Sequence, residues 1–471
     1  MKTSKQSVRT RYAPSPTGYL HIGGARSALF NYLFAKHHNG DFIFRCEDSD
    51  IKRNVANGEK SQLDGLNWLN INPDESPFKP NRLYQPYRQS EKLSRYHIIA
   101  NWLLDHNHAY YAFDSKEELE QQKAQQAAKG IYSFRYDPEW LQISEGQKQE
   151  RFNNGQYVIR LRLAKNKIYQ WNDLVRGTIS FNTDEIGDWV IIKANGYPTY
   201  NFAVVIDDHD MAISHVFRGE EHLSNTPKQL VLYDLLQWNP PAFGHLTIIT
   251  DQNGKKLSKR DQSLAQFISD YQNQGYPPAA IFNYLALLGW TSGTNQELFS
   301  KQELIKAFDY QRLSKAPAQF TIEKMNWFAK HYFKLLPLNW LIKQLKFKPK
   351  TSLAWKRLFI NTFQPSHYCL KQLQQTLDHY QNLSLNKPLS KHQLCQEPLQ
   401  TFINLITNKA WTVANIQAAL NQTKIINNLT TKTCFSQLRQ LITNQAHGPE
   451  LAITIFLLTK PTLYRRLQIK S

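Results

Sequence analysis

The sequence predicts an α/β protein: a doubly wound parallel sheet, split by an α+β insertion and followed by an all-α C-terminal region. Three observations predict it. A strand–helix–strand unit opens the chain, the pattern changes to alternating antiparallel-type strands between about 90 and 195, and the signal is helical almost without break beyond Asp261.

Val8-Arg9-Thr10-Arg11-Tyr12-Ala13 reads as a short strand that ends in the turn Pro14-Ser15-Pro16-Thr17-Gly18. Ala25, Ala28, Leu29, Tyr32 and Leu33 recur at helical spacing, the stripe that packs a helix on a sheet, and Asn39-Gly40 stops it. Asp41 to Glu47 is a second strand, so the unit is βαβ with a right-handed crossover and parallel strands. A helix follows at Asn57 to Leu69, then a loop-rich passage with Pro73, Pro77, Pro80 and Pro86. Within the insertion a polar helix (Lys116 to Lys129) leads to Tyr157–Leu163 and Thr178–Phe181, which alternate as antiparallel strands do. The α/β pattern resumes at Thr199 to Ile206, continues through a helix from Thr226 to Trp238 and reaches one strand, His245 to Thr250. Leu335-Leu336-Pro337-Leu338 and Lys348-Pro349-Lys350 mark a shift in composition. The expected boundaries are 1–89 and 195–250 for the two halves of the sheet, 90–194 for the insertion, 251–332 for a helical segment and 333–471 for the C-terminal region.

At 471 residues, the length suggests about three domains and rules out a lone small binding module. Hydrophobic residues make up 41% and charged residues 20%, which excludes global disorder. The longest apolar stretches, such as Leu451 to Leu458, fall short of the roughly 18 residues a bilayer requires, and the N-terminus lacks an apolar signal segment. The chain is therefore expected in the cytoplasm, without membrane association. Cys46, Cys369, Cys395 and Cys434 form no CxxC pair and are read as buried thiols. The formal net charge is +19, and residues 331–471 hold 18 Lys and Arg against 3 Asp and Glu. Gln and Asn stand where acidic partners would neutralise such a face, which favours a nucleic-acid partner over a solvated surface.

Two segments carry chemistry. Tyr19-Leu20-His21-Ile22-Gly23-Gly24 lies between the first strand and helix, at the sheet edge where doubly wound folds bind ligands. Gly23 and Gly24 would let a phosphate approach the helix N-terminus, and His21 could donate to it. Gly254-Lys255-Lys256-Leu257-Ser258-Lys259-Arg260 follows the last predicted strand and could bring ammonium groups onto a leaving pyrophosphate. Taken singly, a local turn and a basic surface loop would explain them.

In that order on one split α/β sheet, the two segments resemble the HIGH and KMSKS signatures of class I aminoacyl-tRNA synthetases. Arg11 to Gly24 and Arg45-Cys46-Glu47-Asp48-Ser49-Asp50 resemble the glutamyl-tRNA synthetase family of bacterial type, as do Gly196 to Ala203, Ile206-Asp207-Asp208-His209, Arg218 to His222 and Gly275-Tyr276-Pro277. His447-Gly448-Pro449-Glu450-Leu451 is similar to a segment of the bacterial anticodon-binding region. Gly24 in the first signature and Lys-Leu-Ser-Lys-Arg in the second are variants that suit the family. The resemblance implies a split Rossmann-type catalytic domain, an acceptor-stem-binding insertion, a stem-contact domain and an all-helical anticodon-binding region.

It further implies a glutamate pocket of Arg11, Ala13, Ser15, Tyr200 and Arg218, with Glu47 on the α-ammonium. Arg suits a carboxylate because its planar fork gives two parallel charge-assisted bonds. Read alone, Arg218 would equally suit a surface ion pair, Tyr200 a core position, and Glu47 a solvated turn. His21, Gly23, Gly24, Glu221, Leu257, Ser258 and Lys259 would bind ATP, with His21, Lys256 and Lys259 catalytic. The implied reaction joins L-glutamate to ATP as glutamyl-adenylate, with Mg2+ on the phosphates, and then to the 3′-terminal adenosine of tRNA(Glu). Some family members hold zinc in the insertion through cysteines. Here Ala112-Phe113-Asp114 and Tyr136 to Trp140 stand in those places, so no zinc site is expected. A relative that also charges tRNA(Gln), and a non-catalytic tRNA-binding paralogue, share many of these motifs, and a monomer is expected.

Overall fold

The computed structural model describes residues 7–132, 134–257, 266–382 and 389–468. They divide into two compact units: residues up to 272 with 281–322, and residues 273–280 with 323 onward.

The first unit is built on β1 (Arg9–Tyr12), α1 (Ile22–His37), β2 (Asp41–Phe44) and α2 (Gly58–Trp68). The insertion contributes α3 (Leu93–Asp105), β3 (Ala109–Ala112), α4 (Lys116–Ala128), α5 (Glu145–Asn153), β4 (Val158–Leu161), β5 (Ile168–Asp173), β6 (Gly177–Asn182) and β7 (Trp189–Ile192). The chain then returns through α6 (Tyr200–Asp210), β8 (His215–Gly219), α7 (Thr226–Leu235) and β9 (Ala242–Leu246) to β10 (Ile249–Thr250). After these come α8 (Ile268–Gln274), α9 (Pro278–Leu287), α10 (Lys301–Ala307) and β11 (Ala318–Gln319).

The main sheet has the order β2-β1-β8-β9 and is parallel throughout. From β1 the chain moves outward to β2, and after the insertion it returns on the other side of β1 as β8. The strand order therefore reverses between β1 and β8, and the crevice at their carboxyl ends is where such a sheet receives a ligand. Arg11 and Arg218 sit one residue from the ends of these two neighbouring strands.

The strand read as His245 to Thr250 is two strands in two sheets, a correction with an identifiable cause. The Thr247 carbonyl accepts from Arg26 and the Ile248 N–H is held by Glu220 Oε1 at 2.9 Å, so side chains take over the backbone groups that would have continued the ladder. β10 then pairs with β11 instead.

The insertion holds two antiparallel sheets, β3-β4-β7 and the hairpin β5-β6. Buried residues of the insertion join the core around the main sheet. Tyr96, Ile159 and Trp189 from the insertion share one buried cluster with Ile43, Phe202, Val231 and Phe243 around the main sheet.

In the second unit, α11 (Ile322–Lys334), α12 (Leu338–Gln344), α13 (Leu353–Phe363), α14 (Leu370–Asn382), α15 (Lys391–Leu394), α16 (Glu397–Ile406), α17 (Val413–Ile426), α18 (Thr431–Thr443), α19 (Leu451–Leu457) and α20 (Lys460–Arg466) enclose a second core. The division falls ahead of the compositional shift at Leu335–Leu338 because Phe333 of α11 already belongs to that core. Cys46, Cys369 and Cys434 are buried, but Cys395, at the C-cap of the one-turn α15, is exposed, contrary to the sequence reading. Among the described residues no helix is long and apolar enough to cross a membrane.

Candidate active site

A cleft of about 650 Å³ opens at the carboxyl edge between β1 and β8. Arg11, Ala13, Ser15, His21, Gly23, Gly24, Glu47, Tyr200, Arg218, Glu221, Lys256 and Leu257 all line it. Ser258 and Lys259 lie outside the described residues.

On one side is the turn before α1. His21 is the N-cap, and its Nδ1 accepts from the Gly24 N–H at 3.2 Å. Neighbouring side chains crowd both glycines. A Cβ on Gly23 would stand 3.0 Å from the His21 ring, and one on Gly24 would stand 2.6 Å from Tyr12 Oη. That hydroxyl donates to Gln62 Oε1 at 3.1 Å, and Gln62 Nε2 holds the carbonyls of Ser15 and Gly18, which fixes the loop after β1. Lys256 follows the turn after β10, which closes through Asp251 N–H to Lys255 O at 2.8 Å and Leu257 N–H to Ile249 O at 3.0 Å. Gln266 returns to the start of α1, its carbonyl accepting from Ile22 N–H at 2.9 Å.

On the other side is a buried charge network. Arg11 donates from Nε and Nη2 to the two oxygens of Asp208 at 3.3 and 3.2 Å. Arg45, 1% exposed, reaches Asp208 at 2.6 Å, Glu47 at 3.1 Å and Asp207 at 3.7 Å. Lys92, Tyr96 and Gln89 also bond Asp207. Lys92 also reaches Asp210 at 2.9 Å, and Arg95 reaches it at 3.0 Å, so Arg11, Arg45, Lys92 and Arg95 face Glu47, Asp207, Asp208 and Asp210. Burial pushes the Glu47 carboxyl above its ordinary range, and Arg45 and Arg11 counter it.

Arg218 is the exception. It is 5% exposed, makes no ion pair with a described carboxylate, and its Nη1 has no hydrogen-bond partner among the described residues. Burial lowers its pKa, the mark of a charge taken from water without full compensation. The surface ion pair that its charged sequence neighbourhood suggested is therefore not its setting. Beside it, burial and the Arg218 charge together depress His222 to about 4, so that imidazole is neutral, and Tyr200 packs 5.4 Å from its ring. A buried cation flanked by neutral groups, facing a cleft, is built to receive an anion.

Sequence reasoning passed over Arg45, Lys92, Asp207 and Asp208. Arg45, Asp207 and Asp208 lay in motif segments without an assigned role, and Lys92 carried no signal.

Comparison with known proteins places this arrangement in a class. The profile described as tRNA synthetases class I (E and Q), catalytic domain, matches residues 7–327, and the profile for an anticodon binding domain matches 323–470. The chain belongs to this family of class I tRNA synthetases. Within it, a glutamate–tRNA ligase of Mycoplasmopsis synoviae is 55% identical over 98% of each chain. Among solved structures, the glutamate tRNA ligase of Elizabethkingia meningosepticum in complex with its amino acid has a TM-score of 0.85, with 32% identity over 98% of both chains. The glutamate-tRNA synthetase of Elizabethkingia anophelis has a TM-score of 0.87, also at 32% identity, over 99% of this chain and 100% of its own.

Proposed function

We propose that this chain is a glutamate–tRNA ligase that activates L-glutamate with ATP and transfers it to tRNA(Glu). The observation that carries the reading is Arg218, a buried guanidinium without an acidic partner at the strand-order reversal. In the bound state Arg218 takes the side-chain carboxylate. Arg11, already neutralised by Asp208, contributes its remaining Nη1, and Glu47 receives the α-ammonium, an interaction that returns its pKa toward normal. The α-carboxylate attacks the α-phosphate of ATP, and the bond to pyrophosphate breaks. Little proton transfer is needed, so positioning and charge stabilisation dominate. His21 at the start of α1 holds phosphate oxygens, while Lys256 and Lys259 meet the charge that develops on the leaving group. Mg2+ accompanies ATP as part of that substrate. In the second step a terminal ribose hydroxyl of tRNA attacks the adenylate carbonyl and AMP leaves. A reading without zinc is supported in the insertion by the contacts of these residues: Tyr136 Oη donates to Asp114 at 2.5 Å and Arg160 lies 3.6 Å from the centre of the Tyr136 ring.

The test is charging of purified tRNA(Glu) and tRNA(Gln) with labelled glutamate and glutamine. Glutamate should be accepted and glutamine rejected, because a neutral amide leaves Arg218 unpaired. Arg218→Ala should raise the KM for glutamate by roughly a hundredfold, equivalent to about 3 kcal/mol, and leave the KM for ATP nearly unchanged. Equal kcat/KM for the two amino acids would overturn the assignment.

A further inference from the structure

Arg218 is anchored along one edge, and on the other, beside Tyr200, its Nη1 has no hydrogen-bond partner among the described residues. Its Nε donates to His245 Nε2 at 3.2 Å and its Nη2 to Thr226 Oγ1 at 2.8 Å; Thr226 Oγ1 lies 3.1 Å from the same imidazole nitrogen. An imidazole accepts from a guanidinium only at an unprotonated nitrogen, so the ring proton of His245 must sit on Nδ1. Asp173 supplies the reason, with Oδ2 2.5 Å from Nδ1 and both side chains fully buried.

Asp173 is the last residue of β5 and so belongs to the insertion, far in sequence from the strands that carry the two arginines. Its second oxygen, Oδ1, accepts from the backbone N–H of Val175 at 3.0 Å, of Arg176 at 2.9 Å and of His245 at 3.1 Å. The next residue, Leu174, donates to the Phe243 carbonyl at 2.8 Å. Gly244 permits that approach, since a Cβ there would stand 2.8 Å from the Phe217 ring and 3.4 Å from Leu174. The β5-β6 hairpin is thus docked on β9 where His245 requires a carboxylate.

We propose that Asp173 and His245 are positioning residues for amino-acid recognition: the Asp173 carboxylate fixes the His245 tautomer, and His245 with Thr226 aims the free end of Arg218 at the substrate carboxylate. This rests on Arg218 as the carboxylate ligand. With Nε and one Nη2 hydrogen held, Nη1 and the second Nη2 hydrogen form a fork that a carboxylate fills with two acceptors and an amide with only one. Burial, reinforced by the neighbouring Arg218 and Arg176, holds His245 below its ordinary pKa even against Asp173, so the ring stays a neutral acceptor.

Asp173→Asn tests this in the full chain. Three backbone donors demand an oxygen at the Oδ1 position, so the amide NH2 faces His245 Nδ1, the ring proton moves to Nε2, and two donors oppose each other at Arg218 Nε. The expected result is a glutamate KM raised about tenfold or more, an ATP KM within about twofold of the parent, and a narrower preference for glutamate over glutamine. Thr226→Val, which leaves the hairpin untouched, should raise the glutamate KM several-fold and carries the test alone if the first variant does not fold. An unchanged glutamate KM in a folded variant overturns the proposal, and so does an equal rise in both KM values. Arg218→Ala is measured alongside. If it too leaves the glutamate KM unchanged, the pocket reading itself fails; if it alone raises that KM, only the positioning role falls.

Discussion

Three imidazoles on or just after β8 and β9 are held neutral by their surroundings, and the sign of the effect on stability follows. His215, tilted against Phe34, and His222 are each depressed to about 4, chiefly by burial, and His245 is lowered in the same direction. In the unfolded chain each would protonate near 6.5, so between that value and about 4 the unfolded state binds protons that the folded state refuses. Stability present above pH 6.5 is lost as the pH falls toward 4. By pH 5 the loss should be on the order of 1–2 kcal/mol for each of His215 and His222, less where water reaches the ring, with His245 adding in the same direction. The carboxylates held below their usual range, such as Asp208 and Asp210, enter only below about pH 4, whereas Glu47, held above its range, opposes the histidines as the pH falls, so in a Glu47→Gln background the interval from 6.5 to 5 isolates them. A melting temperature that stays level across it would show that these rings titrate normally. At this scale the motif residues were legible, because an Arg beside a Pro-Ser-Pro turn and an Arg-Gly-Glu-Glu run stand out in a chain. Their partners were not: Asp208 reaches Arg11, and Asp173 reaches His245, only after the sheet has formed.

Among the elements, the turn into α1 gives the sharpest expectation. Gly24→Ala would drive a Cβ against Tyr12 Oη, displacing the hydroxyl from Gln62 and loosening the loop that carries Ala13 and Ser15. It should cost about 1–3 kcal/mol by urea denaturation, and adding Tyr12→Phe should recover part of that loss. No recovery in the double variant would mean that the hydroxyl is not what excludes a side chain. The helix itself was readable from the spacing of Ala25, Ala28, Leu29, Tyr32 and Leu33, since a stripe facing a sheet is a local pattern. The break between β9 and β10 was not, since it is made by Arg26 and Glu220 from elsewhere in the fold.

For the molecule as a whole, the charge asymmetry makes a claim that salt can test. Lys343, Lys346, Lys348 and Lys350 are exposed in the second unit, where residues 331–471 hold 18 basic side chains against 3 acidic ones. If they meet phosphates, replacing all four by Gln should flatten the plot of log K for tRNA against log salt by about 0.7–0.9 for every phosphate no longer neutralised. The preference for one anticodon over another should respond little, since base recognition sets it. An unchanged slope would make these lysines a solvated surface. The α/β class and the helical C-terminal region were readable because composition and periodicity change abruptly along the chain. The core that the insertion shares with the main sheet was not, because Tyr96 and Trp189 find their neighbours only across the fold. That shared core bears on inheritance. A lineage cannot trade segment 90–194 for another as a cassette, because the faces of α6 and α7 that receive it are cut to its shape. Ile159 and Trp189 on one side and Phe202 and Val231 on the other fill one core, so a chimaera that moves one set without the other should inherit voids.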